Sequence, residues 1–542
     1  MRYDYIIVGA GSAGSVLAAR LTESGQHSVL LLEAGGKDDS LWFKLPVGFA
    51  KLYYDARCNW MYHSTPQSNL DGRCLYAPRG KVQGGSGSIN AMIYVRGLPK
   101  DFDDWAAQGN PGWRFEEVLP FFRRLETHPQ GNTAYHGGDG PIHITPMRGA
   151  THAVTDAFLR GCDELGLPAC DDFNGGHVDG AGVYDINTRK GQRCSSSVGY
   201  LQPALGRTQL SIEYHAQAQR LLFNAQGRAE GVEVVQQGVR RSFHARREVI
   251  LAAGAVDSPK LLQLSGIGDP AALARQGIAM RHALPSVGAN LQDHLCASYY
   301  YRANQPTLND AFRGWGSRLR MGLQYALHRT GPLAMSVNQA GGFFRGMPGL
   351  ATPNLQFYFN PLSYQIPKNG KARIQPEPYP GFLLCFNPCR PTSRGSIRLA
   401  SADAADAALI DPNYLATAHD VDEVLQGSRL IRTLMKTPAL RAVTVEEVLP
   451  GAAVADDDDE GLLAYFRQNC GSIYHLCGSC AMGPDPDTAV VDARLRVHGV
   501  PGLRIVDASI FPNVTSGNTN AAVMMVAEKG ASMILEDAMR GV

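Results

Sequence analysis

The sequence predicts an α/β fold, α+β overall, that combines a parallel sheet with a second, antiparallel sheet flanked by helices. The chain opens with an apolar run, residues 4–8, that ends at a glycine-rich turn and leads into a helical pattern. Two later apolar runs, 247–254 and 503–508, end in small residues, which is typical of parallel strands that stop beneath a ligand. The stretches 354–359 and 381–386 lie in loop-rich sequence and favour antiparallel strands.

Length and composition limit the class of protein. A chain of 542 residues exceeds the roughly 250–300 residues at which a single core stops growing, so we expect at least two domains. The 51 basic and 50 acidic residues nearly balance, which argues against a nucleic-acid partner. Eleven cysteines, an odd number, do not resemble a disulfide framework. Because neither a secretory signal nor a membrane-spanning apolar stretch is visible, we expect a cytoplasmic protein.

The first glycine-rich motif predicts a binding site for an adenine dinucleotide. Gly9 allows a tight turn, Gly11 lets the backbone approach a pyrophosphate, and Gly14 lets the following helix lie close to the first strand. The N-terminus of that helix directs unpaired N–H groups at the phosphates. Glu33 ends the next strand and is placed to accept hydrogen bonds from ribose hydroxyls, which disfavours NADP. NAD and FAD both remain open at this point.

Two other patterns limit the chemistry further. Only one such glycine motif is present, whereas a flavoenzyme reduced by NADH usually needs a second dinucleotide fold. We therefore expect the electrons to pass to oxygen, a quinone or a protein.

The acidic run 456–460 precedes an apolar stretch. It predicts the start of a helix, where carboxylates interact favourably with the helix dipole, and not a calcium-binding loop.

Two more glycine-rich stretches make the sequence recognisable. Residues 79–94 and 254–268 match, in order and spacing, the two signatures of the glucose-methanol-choline (GMC) family of FAD-dependent oxidoreductases. Residues 287–294 and 507–520 resemble two further segments of that family. The resemblance covers essentially the whole chain. It is closest to bacterial alcohol or choline dehydrogenase-like members and to aryl-alcohol or hydroxymethylfurfural oxidase-like members, and it implies FAD as the cofactor.

The resemblance also implies a domain organisation. A discontinuous Rossmann-like FAD-binding domain is predicted from residues 1–155, 200–295 and 485–542, and a substrate-binding domain from residues 156–199 and 296–484. The FAD contacts implied by the family motifs are Gly9, Gly11, Ser12, Ala13, Gly14, Glu33, Ala34, Trp60, Arg79, Gly80, Val82, Gly84, Gly85, Ser86, Asn90, Ala91, Met92, Ile93, Ala218, Ala253, Gly254, Ser258, Asp507, Ala508 and Asn520.

The catalytic residues are likewise implied by the resemblance. His475 matches the family's catalytic histidine, and Asn520 is assigned to the second catalytic position. Oxidation of an alcohol requires a base for the hydroxyl proton and transfer of a hydride to flavin N5, which a neutral imidazole and a positioned donor can assist. Ile89 falls where some members attach FAD through a histidine, so we expect noncovalent FAD.

A CxxC pair, Cys477 and Cys480, offers a different interpretation of the same region. Such a pair can form a redox centre or half of a zinc site. No second CxxC is present, so we expect small residues packed beside the flavin and no metal.

The predicted reaction is oxidation of a primary alcohol to an aldehyde, with possible onward oxidation to the acid. Tyr474, Phe357 and Phe359 are assigned to the substrate pocket. Together with Tyr358 and Tyr364 they favour an apolar or aromatic alcohol, although any of these aromatics could equally belong to the core. The alternatives are a choline or polyol dehydrogenase, for which no carboxylate or polar pocket is evident, and a non-redox flavoprotein similar to hydroxynitrile lyases. Oxygen or a quinone is the expected acceptor, and peripheral contact with a membrane stays open.

Overall fold

A computed structural model describes residues 2–365 and 374–541 of the chain, and the side chain of residue 365 is not described. The helices are α1 (Ser12–Leu21), α2 (Leu41–Lys44), α3 (Phe49–Leu52), α4 (Pro99–Ala107), α5 (Phe115–Leu125), α6 (Ala153–Glu164), α7 (Gln202–Ala204), α8 (Gly254–Leu264), α9 (Pro270–Arg275), α10 (Leu308–Arg313), α11 (Trp315–His328), α12 (Ala418–Met435), α13 (Pro438–Arg441), α14 (Asp459–Asn469) and α15 (Thr519–Met539).

The strands are β1 (Arg2–Val8), β2 (Val29–Leu32), β3 (Tyr62–His63), β4 (Tyr76–Ala77), β5 (Glu126–Thr127), β6 (Ile142–His143), β7 (Thr145–Pro146), β8 (Gly180–Val183), β9 (Asp185–Ile186), β10 (Thr188–Arg189), β11 (Gln192–Arg193), β12 (Leu210–Glu213), β13 (Ala216–Phe223), β14 (Ala229–Gln236), β15 (Val239–Leu251), β16 (Ile267–Gly268), β17 (His282–Ala283), β18 (Leu295–Ala303), β19 (Ala340–Phe344), β20 (Leu355–Asn360), β21 (Tyr364–Gln365), β22 (Gln375–Pro376), β23 (Gly381–Pro388), β24 (Ser396–Arg398), β25 (Leu409–Asp411), β26 (Thr444–Leu449), β27 (Gly471–Ser472) and β28 (Leu503–Ile505).

One large sheet is mostly parallel and is assembled from three separate parts of the chain. Its strand order is β12-β2-β1-β15-β14-β13, and β28 pairs with β15. The strands β1, β2, β12 and β28 run parallel to their neighbours, whereas β13, β14 and β15 form an antiparallel meander. The central strands are buried on both faces because helices cover them, which explains their unbroken apolar sequences. The predicted α/β fold is confirmed.

The second large sheet is antiparallel throughout. Its order is β26-β18-β23-β20-β19-β8, and β27 pairs with β18. Helices α6 and α12 cover one face, where Phe158, Phe357, Phe386 and other apolar side chains form a continuous core. The two stretches predicted as antiparallel strands, 354–359 and 381–386, correspond to β20 and β23 and pair with each other. The boundaries proposed between the two domains remain a prediction.

Helix α15, which is distant in sequence from the first strands, packs against the helices beside the parallel sheet. It packs against α1 and α5, and its Glu528 carboxylate is fully buried. Arg20 pairs with that carboxylate at 2.8 Å, and the Tyr200 hydroxyl donates to it at 2.5 Å. A buried carboxylate needs such partners to offset the loss of hydration. These contacts fix α15 against the helix that follows the glycine motif.

The glycine motif itself has the geometry that its sequence predicts. Gly9 has a φ of +103°, which only glycine adopts easily. A Cβ atom on Gly14 would lie 1.8 Å from the Gly9 carbonyl oxygen, so α1 can approach the end of β1 only because residue 14 lacks a side chain. The acidic run also behaves as predicted, since α14 begins at Asp459 with Asp458 accepting a hydrogen bond from the Gly461 amide at 2.8 Å.

Gly14→Ala should lower both the thermal stability of the protein and its FAD content after purification. The added methyl group forces α1 away from the Gly9 carbonyl, and such overpacking typically costs about 1–3 kcal/mol. The matched control is Gly322→Ala in α11, where a Cβ atom has open space and alanine should be neutral or stabilising by up to ~1 kcal/mol. Equal melting temperatures for the two variants would contradict this account.

Candidate active site

A large cavity lies between the two sheets and collects most of the predicted site. Its volume is about 1470 Å³, more than the roughly 300–1,000 Å³ of a usual small-ligand pocket. The predicted cofactor residues that line it are Gly9, Gly11, Ser12, Ala13, Glu33, Ala34, Trp60, Arg79, Gly80, Gly85, Ser86, Asn90, Ala91, Met92, Ile93, Ala218, Ala253, Gly254, Asp507, Ala508 and Asn520. The predicted catalytic and substrate residues His475 and Tyr474 line it as well.

Four predicted cofactor residues do not line the cavity but support residues that do. Gly14 packs on Gly9, as described above. Val82 forms an isolated bridge with Gly36, and the Gly84 amide donates to the Ala10 carbonyl at 2.7 Å. The Ser258 hydroxyl donates to the Asp507 carboxylate at 2.6 Å. The family motifs therefore include residues that support the cavity-lining loops without lining the cavity themselves. The sequence alone could not distinguish these supporting residues from those that line the cavity.

Glu33 has the geometry expected of a ribose-binding carboxylate. It is buried, and its two oxygens accept hydrogen bonds from the Ala10 and Gly35 amides at 2.9 and 2.8 Å. Burial raises the pKa of this carboxyl, while the two amide donors oppose that rise. Each oxygen of a carboxylate can accept more than one hydrogen bond, so capacity remains for hydroxyl groups in the cavity.

The cavity also offers groups suited to an anionic cofactor. Nε and Nη2 of Arg79 are buried and have no hydrogen-bond partner within the described part of the chain. The N-terminus of α1 at Gly11 has no side-chain cap, so its amides are available. A Cβ atom on Gly85 would lie 2.7 Å from the Gly11 Cα atom, which shows how closely the two glycine loops approach each other. These features fit a dinucleotide held through its pyrophosphate.

Backbone pairing positions His475, the histidine predicted to be catalytic. Gln292 and Cys477 exchange two backbone hydrogen bonds of 3.0 and 2.9 Å, and the Ile473 amide donates to the His294 carbonyl at 3.2 Å. The segment that enters β18 and the segment that follows β27 therefore lie side by side. As a result, His294 is directly adjacent to His475.

The protonation of the two histidines follows from their hydrogen bonds. His294 Nε2 lies 2.8 Å from the Cys389 carbonyl oxygen, which can only accept, so this nitrogen carries the proton. His294 Nδ1 is then an acceptor in the neutral ring, and His475 Nδ1 donates to it at 2.8 Å. Consequently Nε2 of neutral His475 has no proton, and its lone pair accepts a hydrogen bond from the Asn518 amide at 3.3 Å on the cavity side.

The surroundings keep both imidazoles neutral. Burial lowers the pKa of His294 to about 4. The pKa of His475 lies well below its ordinary value of 6.5, first because of burial and second because of the neighbouring His294 and Arg79. A neutral histidine with an unprotonated ring nitrogen is able to act as a general base near neutral pH.

Asp293 holds the backbone around His475. Its carboxylate accepts from the His475 amide at 2.7 Å, from the Ser472 hydroxyl at 2.5 Å and from the Tyr414 hydroxyl at 2.5 Å. The Tyr474 amide donates to the Ser472 hydroxyl at 2.8 Å. Tyr474 has a φ of +72°, a strained value for an aromatic residue, and these bonds maintain it.

Asn518, and not the predicted Asn520, is the amide beside His475. Asn518 Nδ2 lies 3.3 Å from His475 Nε2, and the Gln356 side chain donates to Asn518 Oδ1 at 3.4 Å, which orients the amide. Asn520 accepts instead from the Ser12 hydroxyl at 2.7 Å and so lies at the cofactor end of the cavity. The two asparagines, two positions apart, project in different directions from the start of α15, so the geometry favours Asn518 over the predicted Asn520 as the donor beside the base.

Phe357 and Phe359 are not in the substrate pocket. Both are fully buried in the core between the antiparallel sheet and its helices. Side chains alternate along a strand, so the residue between them, Tyr358, faces the cavity. The sequence predicted a strand at this place but carried no signal for which face points to the ligand.

The cysteine pair belongs to the core of the dinucleotide-binding half. Cys477 and Cys480 are fully buried free thiols, and burial raises the pKa of both. Within residues 2–365 and 374–541, no three His, Cys, Asp or Glu side chains are arranged to hold a metal ion. Ile89 lines the cavity and packs with Phe43, Leu52 and Val82.

The fold and the site define a dinucleotide-binding oxidoreductase, and the comparisons place it in a family. The chain belongs to the GMC oxidoreductases, whose N-terminal model matches residues 3–296 and whose C-terminal model matches residues 391–527. It is 40% identical to the oxygen-dependent choline dehydrogenase of Photobacterium profundum, over 98% of this chain and 93% of the relative. It is 41% identical to the mitochondrial choline dehydrogenase of Mus musculus, over 98% and 89%.

Solved structures agree with this placement. Pyridoxine 4-oxidase from Mesorbium loti is 31% identical, with a TM-score of 0.88 and coverage of 98% of both chains. A variant formate oxidase from Aspergillus oryzae, studied for FAD modification, is 26% identical, with a TM-score of 0.91 and coverage of 99% of both chains. The predicted GMC family and its cofactor FAD are confirmed, and the glycine loops, Glu33 and Arg79 fit that cofactor.

Replacing the two asparagines one at a time should separate their roles. Asn518→Ala removes the amide beside His475, so we expect kcat/KM to fall about 10- to 100-fold while FAD content is unchanged. Asn520→Ala breaks the contact with Ser12, so we expect weaker FAD retention and a smaller loss of rate in enzyme saturated with FAD. FAD content by absorbance and steady-state rates are the measurements. The reverse pattern would restore Asn520 to catalysis.

The rate should depend on pH through the lowered pKa of His475. Protonated His475 cannot accept a proton, and its pKa lies below 6.5, so kcat/KM should stay high down to pH 6.5 and decline only in more acidic solution. The free energy of unfolding should also decrease as the pH falls below 6.5. The unfolded state takes up more protons than the folded state as the pH falls from 6.5 toward 4, so stability is lost in that window. An acid limb of kcat/KM centred above pH 6.5 would contradict this assignment.

Proposed function

We propose that the protein oxidises a primary alcohol that carries a quaternary ammonium group, of the choline class, to the aldehyde. The relatives at 40–41% identity are named choline dehydrogenases and cover nearly the whole chain. Family membership alone does not select the alcohol, because one fold supports many substrates. The observation that carries the proposal is a carboxylate placed among tyrosines in the cavity wall.

The proton step depends on His475 and Asn518. His475 Nε2 accepts the proton of the substrate hydroxyl, and His294, already bonded to Nδ1, keeps the ring oriented for that step. The Asn518 amide donates to the substrate oxygen as negative charge develops on it. The glycine loops, Glu33 and Arg79 would hold FAD, which would supply the acceptor for the hydride of the alcohol carbon. A positioned base of this kind contributes typically about 10²–10⁴-fold to the rate.

The cationic end of the substrate has a matching site on the antiparallel sheet. Tyr300, Tyr358, Tyr364 and Glu377 line the cavity there. Burial raises the pKa of Tyr300 well above its ordinary value, and nearby groups, including the Glu377 carboxylate, add to the rise. The phenols therefore stay neutral and offer ring faces, which attract quaternary ammonium groups. Glu377 adds the negative charge.

Glu377 supplies the carboxylate that was not evident in the sequence. Its amide donates to the Ser363 carbonyl at 3.0 Å, and the Asn309 side chain donates to its carbonyl at 3.2 Å, so the backbone here is held beside Tyr364. The other acidic residues that line the described cavity, Glu33, Asp257 and Asp507, follow strands of the dinucleotide-binding half or lie on α8. Glu377 is thus the acid on the substrate side.

A neutral aromatic alcohol is the second candidate. The Tyr53 and Tyr474 rings meet edge to face at 5.3 Å between centroids, next to His475, and form an aromatic wall. The similarity to pyridoxine 4-oxidase supports this alternative. The two candidate substrates differ in charge, and only the cationic alcohol is attracted by a carboxylate in the cavity wall.

The electron acceptor is proposed to be oxygen or a quinone. The support is the single dinucleotide motif in the chain, which leaves no second fold for NADH. Comparing turnover under oxygen with turnover under argon and a quinone or dye decides between the two acceptors.

Choline should be oxidised with a kcat/KM about 10- to 100-fold above that of its neutral isostere 3,3-dimethyl-1-butanol, because the two differ only in charge. Glu377→Gln should reduce the value for choline about tenfold, mainly through KM, and leave the isostere unaffected. The isostere thus serves as the internal control for the variant. Stopped-flow bleaching of the flavin without oxygen gives the chemical step directly.

Two results would overturn the proposal. A higher kcat/KM for benzyl alcohol than for choline, with equal effects of Glu377→Gln on both, would favour the neutral aromatic alcohol. Flavin that stays unbleached with every alcohol would instead indicate a non-redox flavoprotein.

A further inference from the structure

Helix α11 presents a row of apolar side chains to the outside of the protein. Trp315, Leu319, Leu323 and Leu327 recur every four residues and are 82%, 50%, 53% and 73% exposed. The buried residues of this helix, Met321 and Tyr325, lie on the opposite face, since each residue turns the helix by about 100°. An apolar row of this length is a recognised mark of an interaction surface.

The inner face fastens α11 to the body of the protein. Tyr325 packs with Leu45 and Ala334, and its hydroxyl donates to the Gly191 carbonyl at 3.0 Å. The outer face of α11 is therefore exposed to solvent while its inner face packs against the rest of the protein. The preceding helix α10 begins with Thr307 as its cap, whose hydroxyl accepts from the Asn309 amide at 3.3 Å.

The charge of this region differs from that of the rest of the chain. Between Asp310 and Glu377 the sequence contains no Asp or Glu, although the whole chain has nearly equal numbers of acids and bases. Arg318 and Arg320 are exposed and lie on the two sides of the apolar row. Arg313 and Arg329 are exposed near the two ends of the helix. Within the described ranges, none of these four arginines forms an ion pair with a carboxylate.

A neighbouring helix shows similar chemistry. Helix α2 exposes Leu41 and Trp42, and Lys51 Nζ lies 4.1 Å from the centroid of the Trp42 ring. Leu45, the residue after α2, is the one that packs on Tyr325 of α11. Exposed tryptophan and leucine beside basic groups are typical of helices that lie in a lipid headgroup region.

We propose that α11 docks on the surface of an anionic phospholipid bilayer. Trp315, Leu319, Leu323 and Leu327 enter the boundary between headgroups and acyl chains, and the arginines on either side of the row pair with lipid phosphates. The contact is peripheral, because no helix among the described residues is long and apolar enough to cross a bilayer. The inference does not depend on which alcohol the enzyme oxidises.

The docking surface adjoins the wall of the active-site cavity. Leu308 of α10 packs with Phe49 and Val337, and Tyr53 and Tyr364 border the same cluster. Of these, Phe49, Tyr53, Val337 and Tyr364 also line the cavity. Because α10 and α11 are in contact, docking of α11 turns this side of the protein toward the lipid.

Co-sedimentation of the FAD-loaded enzyme with vesicles tests the proposal. One vesicle type is phosphatidylcholine alone, and the other contains about one-third phosphatidylglycerol. We expect at least ~10-fold tighter binding to the anionic vesicles, decreasing with salt. Leu319→Gln combined with Leu323→Gln should reduce binding at least ~10-fold, and Arg318→Gln with Arg320→Gln should weaken it and flatten the salt dependence.

The control variant combines Val239→Gln with Met280→Gln, which are 60% and 55% exposed outside α11. It should bind vesicles like the unchanged enzyme, and all variants should keep their flavin absorbance and their turnover in solution. Equal vesicle binding by the α11 variants and the control would overturn the proposal. So would a dimer in solution that Leu319→Gln with Leu323→Gln converts to a monomer, together with no vesicle binding, because a second copy would then cover α11.

Discussion

The hydrogen bond between Nδ1 of His294 and Nδ1 of His475 is the interaction on which the active site depends. It requires the Cys389 carbonyl at the end of β23 to fix the His294 tautomer, and it requires the pairing of residues 292 and 477 to bring the two rings together. The antiparallel sheet thus sets the tautomer of His475, the proposed base, at a cavity that the parallel sheet lines with its glycine loops. Neither half of the molecule provides the base alone.

Burial of this histidine pair has a second consequence. Two imidazoles at hydrogen-bond distance in a site shielded from water cannot both be charged without a large loss of stability, so the neutral forms are strongly favoured. The strained backbone of Tyr474 and the buried Asp293 carboxylate both help to position the loop that carries His475. Local strain is retained where the geometry of the base requires it.

The sequence predicted much of the fold and many of the residues that line the cavity. The glycine turns, the strand periods and His475 could be identified because each depends on local spacing. Asn518 and Glu377 could not, because their positions depend on which way a side chain points and on contacts between distant segments. His294 stood inside a recognised motif, yet only the observed contact with His475 shows what it does.

The contact between Asn520 and Ser12 joins the starts of two helices that are 508 positions apart in the chain. During synthesis the first strand, the glycine turn and α1 leave the ribosome long before their partner exists. The growing chain therefore exposes an unfinished nucleotide site, with Glu528 absent from beside Arg20, until α15 has been synthesised. A chain that stops before α15 would lack both contacts with α1 and would leave this part of the nucleotide site incomplete.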